Sequence, residues 1–337
     1  MQRSPLLTTG GPNLLALLVA CGAITVLTVN TDPIVSGGNP GGVSAASIEK
    51  ISLPPAPPLP EADDAEAAAV SEVTVQIEPT SASTENFGVL TGLRALQLHT
   101  QLLQRGCQKF HEIQDYTATF TRQERIQGCL GDEQVIQLKL RHAPFSIYMK
   151  WESGDPGRQL IYVQGLNNQN ILVQPGGLKG RLTGLMELDP LGGLAMSECR
   201  YPVTKAGLVA LAEIILSHEL KDATRGNGFR CELRDDQTFD DQPCYRFVCE
   251  YLSPAVNADY RQSIIYVNKE LSLPVCVKNF TWGTDVDPER LDEETLVEFY
   301  AYTDIAVNTG VQETEFDPTY PAYRLRVKLC LLNTGIN

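Results

Sequence analysis

The cysteine and histidine side chains are the groups of this chain best suited to binding a metal ion. Cys107 and His111 lie four residues apart on a predicted helix, which places both side chains on one face. A zinc site requires three or four ligands, and no second pair with metal-binding spacing accompanies this one. We therefore assign these residues, together with His99, His142 and His218, to packing and surface roles. The sequence predicts neither a metal nor a cofactor.

Acidic residues form pairs that could act as the two carboxyl groups of a glycosidase. Glu124 and Glu133 lie on neighbouring predicted strands, and residues 235–241 contain four aspartates around a predicted hairpin loop. Carboxylates in such loops are usually solvated, and the sequence has no HExxH, GxSxG or P-loop signature. The run GGLKGR at 176–181 lacks P-loop spacing, which favours a tight turn or hinge over an anion site. The sequence therefore predicts a protein that is not an enzyme.

The overall charge restricts the class of binding partner. The formal net charge is -14 and the sequence pI is about 4.8. Nucleic-acid binding requires clustered Lys and Arg side chains, and the chain has no basic stripe. We therefore exclude a nucleic-acid partner.

The first 85 residues predict export. Residues 1–30 carry one early positive charge, Arg3, followed by the uncharged apolar run 14–29, which is typical of a signal sequence or a membrane anchor. Residues 18–21 (LVAC) have the form of a bacterial lipobox, which makes Cys21 a lipidation candidate. Residues 31–85 are rich in Pro, Ala and acidic side chains, a composition that predicts a disordered tether. We expect an exported, periplasmic protein that contacts the inner or outer membrane through its N-terminus.

The nine cysteines are consistent with an exported protein. Setting Cys21 aside leaves an even number, as disulfide pairing would require. Cys231 and Cys244 are assigned to consecutive predicted strands, and Cys249 and Cys276 to two strands of the same region, so cross-strand bridges within these pairs are one hypothesis. Free buried thiols are the other, because unpaired cysteine packs well in an apolar core.

Strands dominate the rest of the chain. Apolar and polar residues alternate with a period of two from residue 116 onward, which predicts antiparallel strands with one dry and one wet face. Apolar residues at helical spacing predict helices over 88–112 and 205–220, the second with Thr204 as its N-cap. A Gly-rich segment at 176–202 interrupts this pattern. The predicted strands cover 116–126, 133–142, 144–153, 158–165, 169–175, 228–235, 244–252, 261–269, 273–282 and 294–304, with a final strand in the stretch that begins at Phe316.

These elements predict one domain over residues 86–337. Their order is a helix, five strands, a second helix, and then five or six strands, so roughly 10–11 strands are expected. This order lacks the alternation of strands and helices that builds a parallel sheet. The fold class is therefore α+β and mainly β.

Several segments resemble a bacterial family of unknown function that is grouped with the lipoprotein-carrier and outer-membrane lipoprotein-sorting fold. These segments are YTATFTRQERIQG, PFSIYMKWES, GRQLIYVQG, and GGLKGR with LDPLG, and the resemblance covers about residues 96–323. The carrier fold is an open antiparallel β-barrel whose concave apolar face is covered by helices. The resemblance implies this fold here, with the helix at 205–220 and the segment 176–200 as the lid.

The resemblance also implies a ligand site on the concave face. An alkyl chain gains about 0.8 kcal/mol for each CH2 group that is buried, so an apolar groove holds it without catalysis. Basic residues near strand ends are candidates to meet a phosphate or carboxylate head group: Arg122, Arg125, Lys139 and Arg141. The candidates for the apolar groove are Phe120, Leu138, Phe145, Met149, Trp151, Tyr162, Phe280 and Tyr300.

We therefore expect a non-enzymatic envelope protein that binds a lipid or the acyl part of a lipoprotein. A membrane-tethered sensor or protein-interaction domain on the same fold is the second hypothesis, and an envelope hydrolase is the third. A continuous apolar cavity favours the first hypothesis, and a filled core with an exposed patch or sheet edge favours the second. Carboxylates or a histidine with a perturbed pKa in a pocket would favour the third.

Overall fold

A computed structural model describes residues 87–284 and 286–326, together with two short strands near the N-terminus. These strands, Ala16–Leu17 (β1) and Val26–Leu27 (β2), pair antiparallel. Apart from them, the predicted signal or anchor region, Cys21 and the tether at 31–85 lie outside the described residues. No helix in the described part of the chain is both long and apolar enough to cross a membrane.

One large antiparallel sheet forms the body of the protein. Its strands are β3 (Val89–Thr91), β4 (Asp115–Ile126), β5 (Cys129–Leu130), β6 (Gln134–Arg141), β7 (Ser146–Trp151), β8 (Gln159–Val163), β9 (Ile171–Gln174), β10 (Met186–Leu188), β11 (Phe229–Phe239), β12 (Gln242–Tyr251), β13 (Gln262–Asn268), β14 (Pro274–Phe280) and β15 (Leu296–Val307). Their order across the sheet is β10-β9-β8-β7-β6-β4-β15-β14-β13-β12-β11-β3, with β5 beside β4. The two end strands, β10 and β3, do not pair with each other, so the sheet stays open.

The predicted fold class, an open and mainly β antiparallel barrel with helices, is confirmed. The sheet has 13 strands, and the ones that the period-two pattern missed are the short β3, β5 and β10. Two or three residues are too few to show an alternation. The helices are α1 (Gly92–Phe110), α2 (Gly177–Thr183), α3 (Gly193–Met196), α4 (Leu208–Arg225) and α5 (Leu291–Thr295).

The main core lies between the concave face of the sheet and the long helices α1 and α4. Helix α1 contributes Leu96 and Leu103, and α4 contributes Leu208 and Ala212, all fully buried. They pack against the inward side chains of the strands, such as Leu138. Burying a Leu side chain of this kind stabilises the fold by about 1.5–3 kcal/mol, so this face explains why the helices stay on the sheet.

Helix α4 begins later than the sequence predicts. Residues 203–205 form a short 3-10 turn, and the N-cap is Gly207 rather than Thr204. Gly207 has φ 106°, and a Cβ on it would lie 2.8 Å from both Leu140 Cδ1 and the Tyr116 hydroxyl. That hydroxyl accepts a hydrogen bond from the Leu208 N–H at 3.0 Å. The sheet therefore sets the start of this helix.

As far as residue 326, the C-terminal stretch covers the opposite, convex face, and residues 327–332 of the predicted final strand lie outside the described residues. In its described part, to residue 326, it contains a 3-10 helix at 313–316 and no strand. Tyr323 stacks on Tyr148 of β7 with ring centroids 3.8 Å apart, and Phe316 joins the same apolar cluster. Lys139 binds Glu315 across this face. The two buried faces explain why β7, β8 and β9 are apolar on both sides.

The structure forms neither of the two suggested bridges, and it shows free thiols at Cys231, Cys244, Cys249 and Cys276. Cys244 lies opposite Gln237, far along β11 from Cys231, and Cys249 lies on β12 while Cys276 lies on β14. Strand β13 separates β12 from β14, which puts those two chains about 10 Å apart, too far for a bridge. Both suggested pairings are therefore wrong, because sequence order alone does not give the register.

Candidate functional site

A cavity opens on the concave face at the β10 end of the sheet. Its floor is formed by strands β4, β7, β8, β9, β10 and β15, and its cover is formed by residues 190–207 and α4. The space between these walls, counted together with the solvent at its open mouth, measures about 1120 Å³. The walls are mostly apolar. The apolar lining residues are Phe120, Met149, Trp151, Leu160, Ile171, Val173, Pro175, Met186, Leu188, Pro190, Leu194, Ala195, Tyr201, Pro202, Val203, Ala206, Leu211, Ile214, Tyr300 and Tyr302.

A second, smaller cavity continues beneath α4 toward β12, β13 and β14. It measures about 580 Å³ and shares Tyr201, Leu211, Ile214 and Tyr300 with the first. These shared side chains therefore form the partition between the two spaces. Polar residues make up a larger share of the lining of the second cavity, among them Glu219, Asp222, Asn279 and Glu298.

A cluster of hydrogen-bonded polar side chains surrounds Glu298 at this partition. Glu298 on β15 is 2% exposed. Its carboxylate accepts hydrogen bonds from Asn279 Nδ2 at 2.6 Å, the Tyr260 hydroxyl at 3.1 Å and Arg200 Nε at 2.7 Å. The Tyr300 hydroxyl donates to Glu124 Oε1 at 2.5 Å and lies 3.4 Å from Glu298 Oε2. Both carboxylates are thus held by fixed donors within the protein.

The tyrosines of this cluster act as hydrogen-bond donors. Burial raises the pKa of Tyr300, and the nearby Glu298 and Glu124 carboxylates raise it further. Burial and Glu298 raise the pKa of Tyr260 in the same way. Both hydroxyls therefore stay protonated, which lets each donate to a carboxylate. The arrangement stabilises charge inside the protein but gives none of these tyrosines the properties of a general base.

Two ion pairs connect the cover to the sheet. Glu198 of the cover binds Arg158, which follows β7, with 2.7 Å between the charged atoms, and both side chains are largely buried. Arg158 also lies over the Trp151 ring, 4.8 Å from its centroid. In the second pair the charges are exchanged, because the cover provides the base, Arg200, and β15 provides the acid, Glu298. Breaking one partner of a buried pair leaves an uncompensated charge, so these contacts hold the cover against the cavity.

The structure brings half of the predicted groove residues together. Phe120, Met149, Trp151 and Tyr300 line the first cavity. Leu138 and Tyr162 lie in the same core without lining either cavity described above, and Phe145 is half-buried beside Tyr162. Phe280 alternates with the cavity-lining Val277 and Asn279 of β14 and lies under Arg261, outside the main core.

One of the four basic candidates lies at the cavity. Arg122 lines it, with Nε donating to Gln134 at 3.0 Å and Nη1 lying 3.5 Å from Glu124. Arg125 binds the carbonyls of Gly128, Glu294 and Leu296 at the end of β4. Lys139 and Arg141 lie on the convex face, where Arg141 covers the Phe316 ring. Alternation explains this outcome, since residues 122 and 139 occupy opposite faces of paired strands.

The carboxylate pairs proposed from sequence are not formed. Glu133 is exposed, whereas Glu124 points into the core toward Tyr300. Asp235 is buried and accepts a hydrogen bond from the Gly88 N–H at 3.0 Å. Across the described ranges, no three His, Cys, Asp or Glu side chains are grouped to hold a metal ion. Cys107 is half-buried and His111 is exposed.

Sequence reasoning missed the polar residues that complete the site. These are Arg158, Glu198, Arg200, Tyr260 and Glu298. Only Glu298 left a readable signal, because it shares the inward period-two positions of β15 with two tyrosines, where a charge requires partners. The others lie in irregular segments that have no periodicity.

Comparisons with known proteins place the chain in a family. The profile of a family described as "Protein of unknown function (DUF1571)" matches residues 113–325. No curated protein matches the sequence.

Solved structures show remote similarity. The lipoprotein LppX from Mycobacterium tuberculosis is 10% identical, with 64% of this chain and 98% of that chain covered and a TM-score of 0.37. A domain described as an outer membrane lipoprotein-sorting protein from Vibrio parahaemolyticus is also 10% identical, with 66% and 98% covered and a TM-score of 0.31. The MucA/MucB complex of Pseudomonas aeruginosa is 11% identical, with 68% and 63% covered and a TM-score of 0.33. The profile match extends over more than half of the chain, and the protein therefore belongs to the DUF1571 family.

Proposed function

We propose that this protein is a non-enzymatic binding protein of the cell envelope. It holds the alkyl chain of a lipid, or of an acylated protein, in the first cavity, which residues 190–207 and α4 cover. The observation that carries the proposal is an open, mostly apolar cavity whose two lining arginines, Arg122 and Arg158, each have a glutamate partner. The cavity walls come from six strands and a cover, so the space exists before a ligand arrives.

The apolar wall of the cavity supplies the free energy of binding. Phe120, Met149 and Trp151 form part of a continuous apolar surface beside Ile171 and Val173. Each CH2 group transferred from water to such a surface gains about 0.8 kcal/mol, so a chain of ten groups offers on the order of 8 kcal/mol before the costs of binding. The apolar wall therefore supplies a favourable free energy without covalent chemistry, and this free energy grows with the length of the chain.

The polar groups at the cavity favour a head group that lies near the mouth. Arg122 and Arg158 line the cavity and each has a glutamate partner, whereas the lining residue Lys205 is exposed. A charged head group at either arginine would have to displace its glutamate, whereas an alkyl chain displaces none. The proposal therefore assigns recognition to the chain and only orientation to the head group.

A protein-interaction role on the same fold is the second candidate. Leu178 and Leu182 lie one helical turn apart on α2 and are 70% and 81% exposed. Two large apolar side chains exposed side by side form a small apolar patch that a protein partner could cover. Substitution of both by glutamate would remove partner binding while leaving the cavity unchanged, which separates the two functions.

Tryptophan fluorescence tests the binding proposal directly, because the chain has two tryptophans and only one of them lines the cavity. Trp151 is in the cavity wall, whereas Trp282 lies elsewhere and donates to the Asn257 carbonyl at 2.8 Å. A fatty acid brominated along its chain quenches tryptophan on contact. We expect it to quench the full-length Trp282→Phe variant, which keeps Trp151, and to leave the Trp151→Phe variant unchanged.

The outcomes of this titration are distinct. Saturable quenching of Trp151 alone supports the proposal, and native mass spectrometry with organic extraction of the full chain would then identify what the protein carries. Equal quenching of both variants would indicate nonspecific partition of the fatty acid. Absence of quenching in both would refute alkyl-chain binding and shift the proposal to a protein partner.

A further inference from the structure

Two cysteines face each other across the β11–β12 hairpin. Cys231 pairs with Cys249 in the strand register, and their Sγ atoms lie 3.3 Å apart. Both residues are buried in the main core, and Cys249 also lines the second cavity. We propose that Cys231 and Cys249 form a disulfide bond in the exported protein, made by exchange with the disulfide of a thiol–disulfide oxidoreductase.

The backbone geometry at this pair suits a disulfide. The Leu252 N–H donates to the Gly228 carbonyl at 2.9 Å, and hydrogen-bonded pairs recur at every second position of an antiparallel ladder. Cys231 and Cys249 lie three positions further along and therefore form a non-hydrogen-bonded pair, with Cα atoms about 4.5 Å apart. Disulfides accept Cα separations of about 4.4–6.8 Å, so rotation of the side chains suffices and the strands need not move.

The exchange proceeds in two balanced steps. The thiolate of one cysteine attacks the donor disulfide and displaces one donor thiol, which leaves a mixed disulfide. The thiolate of the other cysteine then attacks the protein sulfur of that mixed bond and displaces the second donor thiol. The two protein thiols lose two protons and two electrons in total, and the donor disulfide gains them.

Burial determines when this exchange can occur. The hydrogen bond with Cys249, together with burial, raises the pKa of the Cys231 thiol, which makes it a poor nucleophile in the folded protein. An oxidoreductase also cannot reach a sulfur in this core. The bond therefore forms during folding, before α1 and α4 close over the sheet, and is afterwards protected from reductants.

Peptide mapping of the full-length exported protein tests the pairing. Free thiols are blocked with N-ethylmaleimide in denaturant, and the chain is then digested with trypsin without reductant. Because trypsin cleaves after Lys and Arg, Cys231 is carried by peptide 231–234 and Cys249 by peptide 247–261. The neighbouring Cys244 and Cys276 are carried by separate peptides, 235–246 and 270–278.

We expect peptide 231–234 linked to peptide 247–261, with a mass lower by two hydrogen atoms than the sum of the two, and maleimide adducts on Cys244 and Cys276. Maleimide adducts on both Cys231 and Cys249 would overturn the proposal. A bond from either of them to a different cysteine would overturn it as well.

Thermal unfolding gives an independent measurement. The bond closes a loop between residues 18 apart, so protein reduced in denaturant and refolded should melt lower than oxidised protein by roughly 6–12 °C. The double variant Cys231→Ala/Cys249→Ala should lose this effect of reductant, and the matched variant Cys244→Ala/Cys276→Ala should keep it. A reductant effect that persists in the first variant would contradict the pairing.

Discussion

Replacing Glu298 by alanine should destabilise the protein far more than any surface carboxylate does. The side chain is 2% exposed and accepts hydrogen bonds from Arg200, Asn279 and Tyr260. Alanine leaves the two neutral donors buried without a partner, at about 1–3 kcal/mol each. Arg200 remains partly hydrated, because 29% of its side chain is exposed, so it adds little further cost. The expected loss in the free energy of unfolding is about 3–5 kcal/mol, the range measured when one partner of a buried ion pair is removed.

Equilibrium unfolding in urea measures this loss, with Glu152→Ala as the matched control. Glu152 also pairs with a basic side chain, Lys150 at 2.9 Å, but its side chain is 46% exposed. An exposed pair of this kind contributes only about 0.2–1 kcal/mol. If Glu298→Ala lowered the free energy of unfolding by less than about 1 kcal/mol, or by no more than the control does, the cluster around Glu298 would not stabilise the fold. The reasoning from buried partners would then fail.

Three further predictions follow from single contacts. Gly207→Ala should lower the free energy of unfolding by more than about 2 kcal/mol, because φ is 106° and the new Cβ would clash with its neighbours. Gly310→Ala, which has open space around it, should lower it by only about 1 kcal/mol, and unfolding in urea measures both. Burial raises the pKa of Asp222 above its ordinary value of 3.8, although the Tyr251 hydrogen bond lowers it in part, so the folded state binds the proton more tightly than the unfolded state. Asp222 therefore lowers the free energy of unfolding as the pH rises through its folded pKa. Measured at several pH values, Asp222→Asn should be more stable than the wild type above about pH 4, and this difference should vanish below that pH. Tyr323→Ala should remove the stack on the β7 face at a cost of about 3 kcal/mol and increase amide hydrogen exchange in residues 308–326, and unchanged exchange there would show that this ring does not hold the segment.

Much of the fold could be predicted from local patterns. The period-two alternation of β4 and β6 identifies strands that are apolar on one face, because a strand that is half buried must alternate. The apolar stripes of α1 and α4 are visible for the corresponding reason at helical spacing. The open, mainly β architecture followed from these elements and from the resemblance, and the structure confirmed it.

The candidate site was only partly predictable. The alternation assigns Phe120, Met149, Trp151 and Tyr300 to apolar positions without saying which of them line a space. Phe280 shows the limit of this reasoning, because a single step along a strand moves a side chain to the other face. The start of α4 at Gly207 could not be predicted from the segment alone, since contacts with the sheet decide it.

By itself, therefore, the sequence determined the longer strands and helices, the acidic charge, and the presence of apolar faces. Only the tertiary structure decided that Glu298 meets Arg200, that Glu198 meets Arg158, and that Cys231 faces Cys249. The physical reason is the range of the interactions. Periodicity arises from the backbone geometry of neighbouring residues, whereas hydrogen bonds, ion pairs and strand register join residues that are distant in the chain and whose alignment depends on the packing of the whole sheet.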